Sequence, residues 1–169
     1  MPSKILVTGG LGYIGSHTSV ELIQQGFEII IVDDLSNSSI KVLGGIKKIT
    51  GVSPEFVKLN LRDKKEVNRL FEAYPDLSGI VHFAACKAVG ESIDQPLKYY
   101  ENNVLGTFNL LDVMEKNSIK SLVFSSSATV YGIPRTLPIK ESASFGEATN
   151  AYGKTKQIIE NLLVDLTAA

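Results

Sequence analysis

Residues 4–15 read KILVTGGLGYIG. The run Ile5-Leu6-Val7 is apolar without alternation, as expected of a strand covered on both faces. Glycines follow at Gly9, Gly12 and Gly15, and then a helical pattern from Tyr13 to about Gln25 that Gly26 brings to a stop. Glycines also cluster in ordinary loops, but this triplet has a strand before it and a helix after it, where each glycine has a task. Gly9 lets the chain turn sharply off the strand, and Gly12 lets the backbone come close to a pyrophosphate. Gly15 lets the helix close against the strand, with its positive end towards the phosphates.

Outward from this turn, residues 28–33 (EIIIVD) read as a second strand ending on Asp33, an acid at the ~20-residue spacing where this kind of fold keeps the one that accepts from an adenosine ribose. A carboxylate there repels a 2′-phosphate, and no arginine lies between Asp34 and Ile40 to offset it, so NAD is expected in preference to NADP. Further strands are expected at 55–59, 79–83 and 120–124. Helices are expected at 39–48 (interrupted by Gly44-Gly45), 64–74, 97–116 and 152–166. Val67, Leu70 and Phe71 form the inner face of the third helix, and Val104, Phe108, Leu111 and Met114 or their neighbours that of the long one. Residues 84–92 and 125–151 read as loops. The alternation predicts an α/β fold: a doubly wound, Rossmann-like parallel sheet of order 3-2-1-4-5, with its ligand outside the carboxyl ends of strands 1 and 4.

Composition narrows the function classes. The 169 residues suffice for one domain with a sizeable core, and residues 1–169 are expected to form one dinucleotide-binding domain. With 17 basic and 18 acidic residues there is no nucleic-acid footprint. Neither a signal-peptide pattern nor a membrane-length apolar run is evident, and no metal-ligand cluster stands out. The single cysteine, Cys86, suits a reducing compartment, so the cytoplasm is the expected location.

Tyr152 and Lys156 stand four apart at the start of the last helix and share a face. Such a pair arises readily by chance, but this one follows the fifth strand and a serine-rich turn, where the chemistry of such a domain should sit. Free tyrosine has a pKa of about 10, and bringing one to ~7 takes roughly 4 kcal/mol of phenolate stabilisation. A lysine cation about 4 Å away, helped by an oxidised nicotinamide, can supply that much. The phenolate would then take a proton from a sugar hydroxyl, and Ser127 would hydrogen-bond the same oxygen.

The stretches VTGGLGYIGSH (7–17), DDLSNSS (33–39), KAVGES (87–92), YYENNVLGT (99–107), SSSATVYG (125–132) and AYGKTK (151–156) together resemble the extended short-chain dehydrogenase/reductase family, and within it the nucleotide-sugar epimerases. Related 4,6-dehydratases carry Thr-Asp-Glu where Ser126-Ser127-Ala128 stands, so the extra acid and base for eliminating water are missing. The resemblance implies epimerisation at C4 of UDP-glucose or UDP-galactose through a 4-keto sugar, with Ser127, Tyr152 and Lys156 catalytic. It implies NAD contacts from Tyr13, Ile14, Asp33, Asp34, Leu35, Ser36, Asn37, Ser38, Phe83, Ala84, Ala85, Cys86, Lys87 and Asn102, beside those of the glycines. Where the family typically has an aspartate on the adenine amino group, Asn60 stands here, followed by Leu61; its amide oxygen can still accept that bond. The resemblance also implies a homodimer through helices 97–116 and 152–166, and a fold truncated after strand 5 and the catalytic helix, because family members continue into a UDP-gripping domain. An isolated NAD-binding module without turnover and a related nucleotide-sugar reductase or dehydratase are the alternative expectations.

Overall fold

The computed structural model describes residues 3–134 and 136–168. They fall into two compact units, residues 3–84 with 108–125, and residues 85–107 with 126–134 and 136–168. The first holds the sheet, made of β1 (Lys4–Thr8), β2 (Glu28–Asp33), β3 (Glu55–Lys58), β4 (Leu77–His82) and β5 (Leu122–Phe124). All pairings are parallel and the order is β3-β2-β1-β4-β5, as the alternation of elements predicts.

Side chains alternate across each strand and feed two cores, which is why the inner strands read as continuous apolar runs. On one face Leu6, Ile30, Val32 and Ile80 meet Val67, Leu70 and Phe71 of α3 (Lys64–Ala73) and Leu110, Val113 and Met114 of a later helix. On the other, Val7, Ile29 and Ile31 meet Leu11, Val20 and Ile23 beside α1 (Tyr13–Gln24), and Ile46 of α2 (Val42–Thr50). Each buried aliphatic side chain contributes about 2 kcal/mol. Asp63 caps α3, its carboxylate accepting from the N–H groups of Lys65 (3.0 Å) and Glu66 (3.2 Å). The buried Asn109 amide donates to the carbonyls of Leu61 (2.9 Å) and Arg62 (3.1 Å) and holds the turn after β3.

The second unit is helical. It contains α4 (Val89–Asp94), α5 (Pro96–Tyr99), a π-helical turn (Tyr100–Leu105), the first residues of α6 (Gly106–Lys116), a 3-10 turn (Ala128–Tyr131) and α7 (Ala151–Ala168). Tyr99 is fully buried; its hydroxyl donates to the Ala88 carbonyl and lies 2.8 Å from Glu91, which pairs with Lys98. Burial and the Glu91 carboxylate push this phenol up to about 12.

Four expectations need correction. Residues 89–92, expected as loop, open α4, a helix too short and polar to show a period. The second helix runs through Gly44-Gly45, two positions where a Cβ would meet nothing within 4 Å, and it ends on Gly51 in the left-handed region. The helix over 97–116 is not uniformly α, since it contains a π-turn, and its buried residues are Tyr99, Asn103, Gly106, Thr107, Asn109, Leu110, Val113 and Met114. The inner stripe keeps Met114 and otherwise falls on neighbours of the expected residues, with Phe108 exposed. Strand β5 begins at Leu122 instead of Lys120.

Candidate active site

In the sheet-bearing unit the glycine turn behaves as its spacing suggests. Gly9 has φ +67°, a left-handed conformation, and a Cβ there would lie 2.7 Å from the Ala84 nitrogen at the end of β4. A Cβ on Gly15 would sit 2.3 Å from the Gly9 carbonyl oxygen, so helix and loop meet backbone to backbone. The first turn of α1 has Gly12 at its N-cap, no side-chain cap and no acidic residue, which leaves its positive end suited to an anion. Tyr13 and Ile14 stand exposed on that turn.

Asp33 is buried at the end of β2. One carboxylate oxygen accepts from the Leu11 N–H (3.1 Å), and the other from the Leu35 N–H (3.0 Å) and the Ser38 hydroxyl (2.7 Å). Leu35 has φ +63°, a costly conformation for a bulky residue, and the Asp33 carboxylate helps hold it. Asp33 thus joins the glycine turn to residues 34–38, and of a carboxylate's roughly four acceptor positions about one remains for a ribose hydroxyl. Next to it, Asp34, Lys58, Leu59 and Asn60 line a depression of about 290 Å³ at the carboxyl ends of β2 and β3. One expectation fails in detail here. The Asn60 amide oxygen already accepts from the backbone N–H (3.0 Å) and the Nε (3.1 Å) of Arg62, while its NH2 donates to Asp34 (3.1 Å). Both lone pairs are used within the chain, so Asn60 shapes this depression more than it offers an acceptor.

Phe83 and Ala84, just past β4, and Leu61 also lie in the sheet-bearing unit, while Ala85, Cys86, Lys87, Asn102, Ser127, Tyr152 and Lys156 lie in the helical one. The Lys156 Nζ lies 5.9 Å from the centroid of the Tyr152 ring, on the shared face of α7. Lys156 is buried, and desolvation lowers its pKa from 10.5 to about 8, with the Glu160 carboxylate acting in the opposite direction. The Ser127 hydroxyl accepts from the Thr129 N–H (3.2 Å) and the Thr129 hydroxyl (2.9 Å), so its own proton is left to donate. Gly153 abuts the Thr129 carbonyl, and Asn150 caps α7 by accepting from the Gly153 N–H (2.9 Å).

Asn103 escaped the sequence reading. Its side-chain oxygen accepts from the Cys86 N–H (2.8 Å) and from Asn102 (3.1 Å); its NH2 donates to the Cys86 carbonyl (3.0 Å) and to the Thr155 hydroxyl (3.1 Å). Thr155 in turn donates to the Tyr152 carbonyl at 2.7 Å. A fully satisfied buried amide therefore ties the 85–87 loop to the turn of α7 that carries Tyr152. A polar residue at a position that the helical period turns inward is the signal that could have found it. Among the described residues no group of three or more His, Cys, Asp or Glu side chains could hold a metal ion, and no helix is long and apolar enough to cross a membrane.

A glycine-rich β1–α1 turn, an acid closing β2 and a Tyr-Lys pair on a helix after β5 agree with the match of residues 5–169 to a family model, and the chain belongs to the NAD dependent epimerase/dehydratase family. Within the family it is similar to the UDP-glucose 4-epimerase of Bacillus subtilis (strain 168), being 53% identical over 165 residues that cover 98% of this chain and 48% of that protein. Two crystal structures are also similar. The UDP-glucose 4-epimerase of Bifidobacterium longum in complex with NAD+ and UDP gives a TM-score of 0.95 at 42% identity, covering 98% of this chain and 49% of that one. The enzyme from Stenotrophomonas maltophila with bound NAD and formylated UDP-arabinopyranose gives 0.93 at 46%, with the same coverages. The chain spans about half the length of the curated relatives it matches.

Proposed function

We propose that residues 1–169 are the NAD-binding and catalytic part of a UDP-hexose 4-epimerase that interconverts UDP-glucose and UDP-galactose. The observation that carries this reading is the Tyr152–Lys156 pair, with the lysine buried and its Nζ over the phenol ring. The bare first turn of α1 and the glycines fit a pyrophosphate, and Asp33 fits a ribose hydroxyl; the similar crystal structures were solved with NAD. NAD, when bound, supplies a hydride acceptor that gives the hydride back, so none is consumed overall.

The residues of the chain then handle protons and orientation. Lys156, as an ammonium, stabilises phenolate at Tyr152 Oη. Tyr152 Oη takes the proton of the C4 hydroxyl and later returns it to the C4 oxygen after the 4-keto sugar has presented its other face. Ser127, with its lone pairs directed at Thr129, donates its hydroxyl proton to that same oxygen and favours the charge that develops there. Asn103 keeps the 85–87 loop and α7 in register for this work. Homodimerisation through helices 97–116 and 152–166, and a cytoplasmic location, belong to the same reading.

A second reading is an NAD-binding module without turnover, since the glycine turn and Asp33 would hold a nucleotide whether or not Tyr152 reacts. One experiment separates them: purified chain is denatured and the released NAD quantified, while native protein is assayed for conversion of UDP-galactose with UDP-glucose dehydrogenase as coupling enzyme. Released NAD with conversion supports the epimerase, and released NAD without conversion the module. Protein that neither releases nor takes up NAD refutes both.

A further inference from the structure

We propose that Glu160 is a positioning residue for Lys156, the counter-charge that keeps its buried amine protonated, and that the Ser126 hydroxyl fixes the Glu160 carboxylate in that role. Tyr152, Lys156 and Glu160 succeed one another at four-residue steps along α7 and so share one face. A lysine four residues before a glutamate is the weaker of the two helical orders, so the pair gains from an outside anchor. Ser126 is that anchor: its hydroxyl donates to Glu160 Oε1 in a charge-assisted bond. The same contact fastens the backbone just before Ser127 to α7. Gln157 adds to this from the adjacent position, its amide donating to the carbonyls of Val130 (2.7 Å) and Gly146 (2.8 Å).

Other ionisable groups compete poorly for this role. The elements packed against α7 carry Glu91 and Asp94 on α4, Lys98 and Tyr99 on α5, Tyr100 and Glu101 on the π-turn and Tyr131 on the 3-10 turn. Glu91 is committed to Lys98 and Tyr99. On α7 itself Tyr152 faces Lys156, and Lys154 is exposed. Among all of these, Glu160 is the group whose charge opposes the loss of the Lys156 proton on burial. With Lys156 already titrating near 8, a further fall of about one unit would leave it roughly half neutral at pH 7, and a neutral amine no longer favours phenolate at Tyr152.

The catalytic consequence rests on the epimerase reading, but the test does not. The 169-residue chain is labelled with 13C at lysine Cε, the Lys156 resonance is assigned by its loss in Lys156→Met, and its midpoint is followed by NMR from pH 6 to 11 without added nucleotide. Glu160→Gln keeps an amide oxygen for the Ser126 hydroxyl and removes only the charge. The expected result is a Lys156 midpoint about one pH unit lower, a tenfold weaker hold on the proton. Ser126→Ala should lower it less, because the carboxylate remains but is no longer fixed. A midpoint unmoved in a folded Glu160→Gln chain overturns the proposal. Should that variant fail to fold, an unmoved midpoint in Ser126→Ala overturns it instead, and a lowered one supports it. Absence of NAD binding would sink the epimerase reading and leave this titration unaffected.

Discussion

Replacing Lys156 by methionine should make the chain more stable at neutral pH, and the gain should vanish in alkali. The side chain is 3% exposed, and its pKa falls from 10.5 to about 8 on folding. That difference of about 2.5 units corresponds to about 3 kcal/mol, at about 1.36 kcal/mol per unit. Below pH 8 the amine is protonated in both the folded and the unfolded chain, and the folded chain carries the whole cost of burying the charge. Between 8 and 10.5 the folded chain has released its proton and the unfolded chain has not. Stability of the natural sequence therefore rises with pH through that window by about 1.36 kcal/mol per unit. Above 10.5 both states are neutral and the cost is gone. Methionine has similar length and no charge. At pH 7 Lys156→Met should gain about 2 kcal/mol, after about 1 kcal/mol is returned through lost polar contacts. Urea unfolding followed by circular dichroism at pH 7, 8, 9 and 10 checks this. A stability difference that stays constant over the series, or a natural sequence more stable than the variant at pH 7, would refute the reasoning.

Two glycine substitutions should move stability in opposite directions. Gly15→Ala forces a Cβ to 2.3 Å from the Gly9 carbonyl and should cost at least about 2 kcal/mol, whereas Gly44→Ala adds a methyl to open space in α2 and should gain about 1 kcal/mol; thermal melts would read both. Asp33→Asn places an NH2 among three donors that the carboxylate now satisfies, so it should cost about 1–3 kcal/mol. Amide exchange should quicken at residues 34–38 in that variant, and unchanged exchange there would mean that Asp33 does not hold Leu35.

The sheet was legible because its evidence is local. Ile5-Leu6-Val7 and residues 28–33 are apolar without alternation, a pattern that only strands covered on both faces require, and the order followed from alternation with helices. The glycine turn and the Tyr152–Lys156 pair were legible for the same reason, being set by spacing along one element. What failed depended on partners far along the chain or on geometry outside the usual periods. A π-turn has no residue signature at 3.6 spacing, and nothing local says that polar Asn103, not Val104, turns inward against Cys86 and Thr155. Asn60 read as a spare acceptor, because nothing in its neighbours' identities says that Arg62 will fold back onto its oxygen through both backbone and side chain.

Glu160 falls between these cases, and it shows where the site's chemistry is decided. Its place in the four-residue series after Tyr152 and Lys156 is visible in the sequence, yet a glutamate at that stride on a surface helix is worth only ~0.3–0.5 kcal/mol and needs no function. Its surroundings change that. Lys156 is buried, so the electrostatic attraction is far less screened than at a surface, and Ser126 spares the carboxylate the conformational freedom that would dilute it. Lysine with a midpoint near 8 sits where a modest loss of neighbouring charge changes its protonation at neutral pH. A methionine at 156 would serve the packing of the helix better, so a buried lysine there makes physical sense under the proposed role of its charge beside Tyr152.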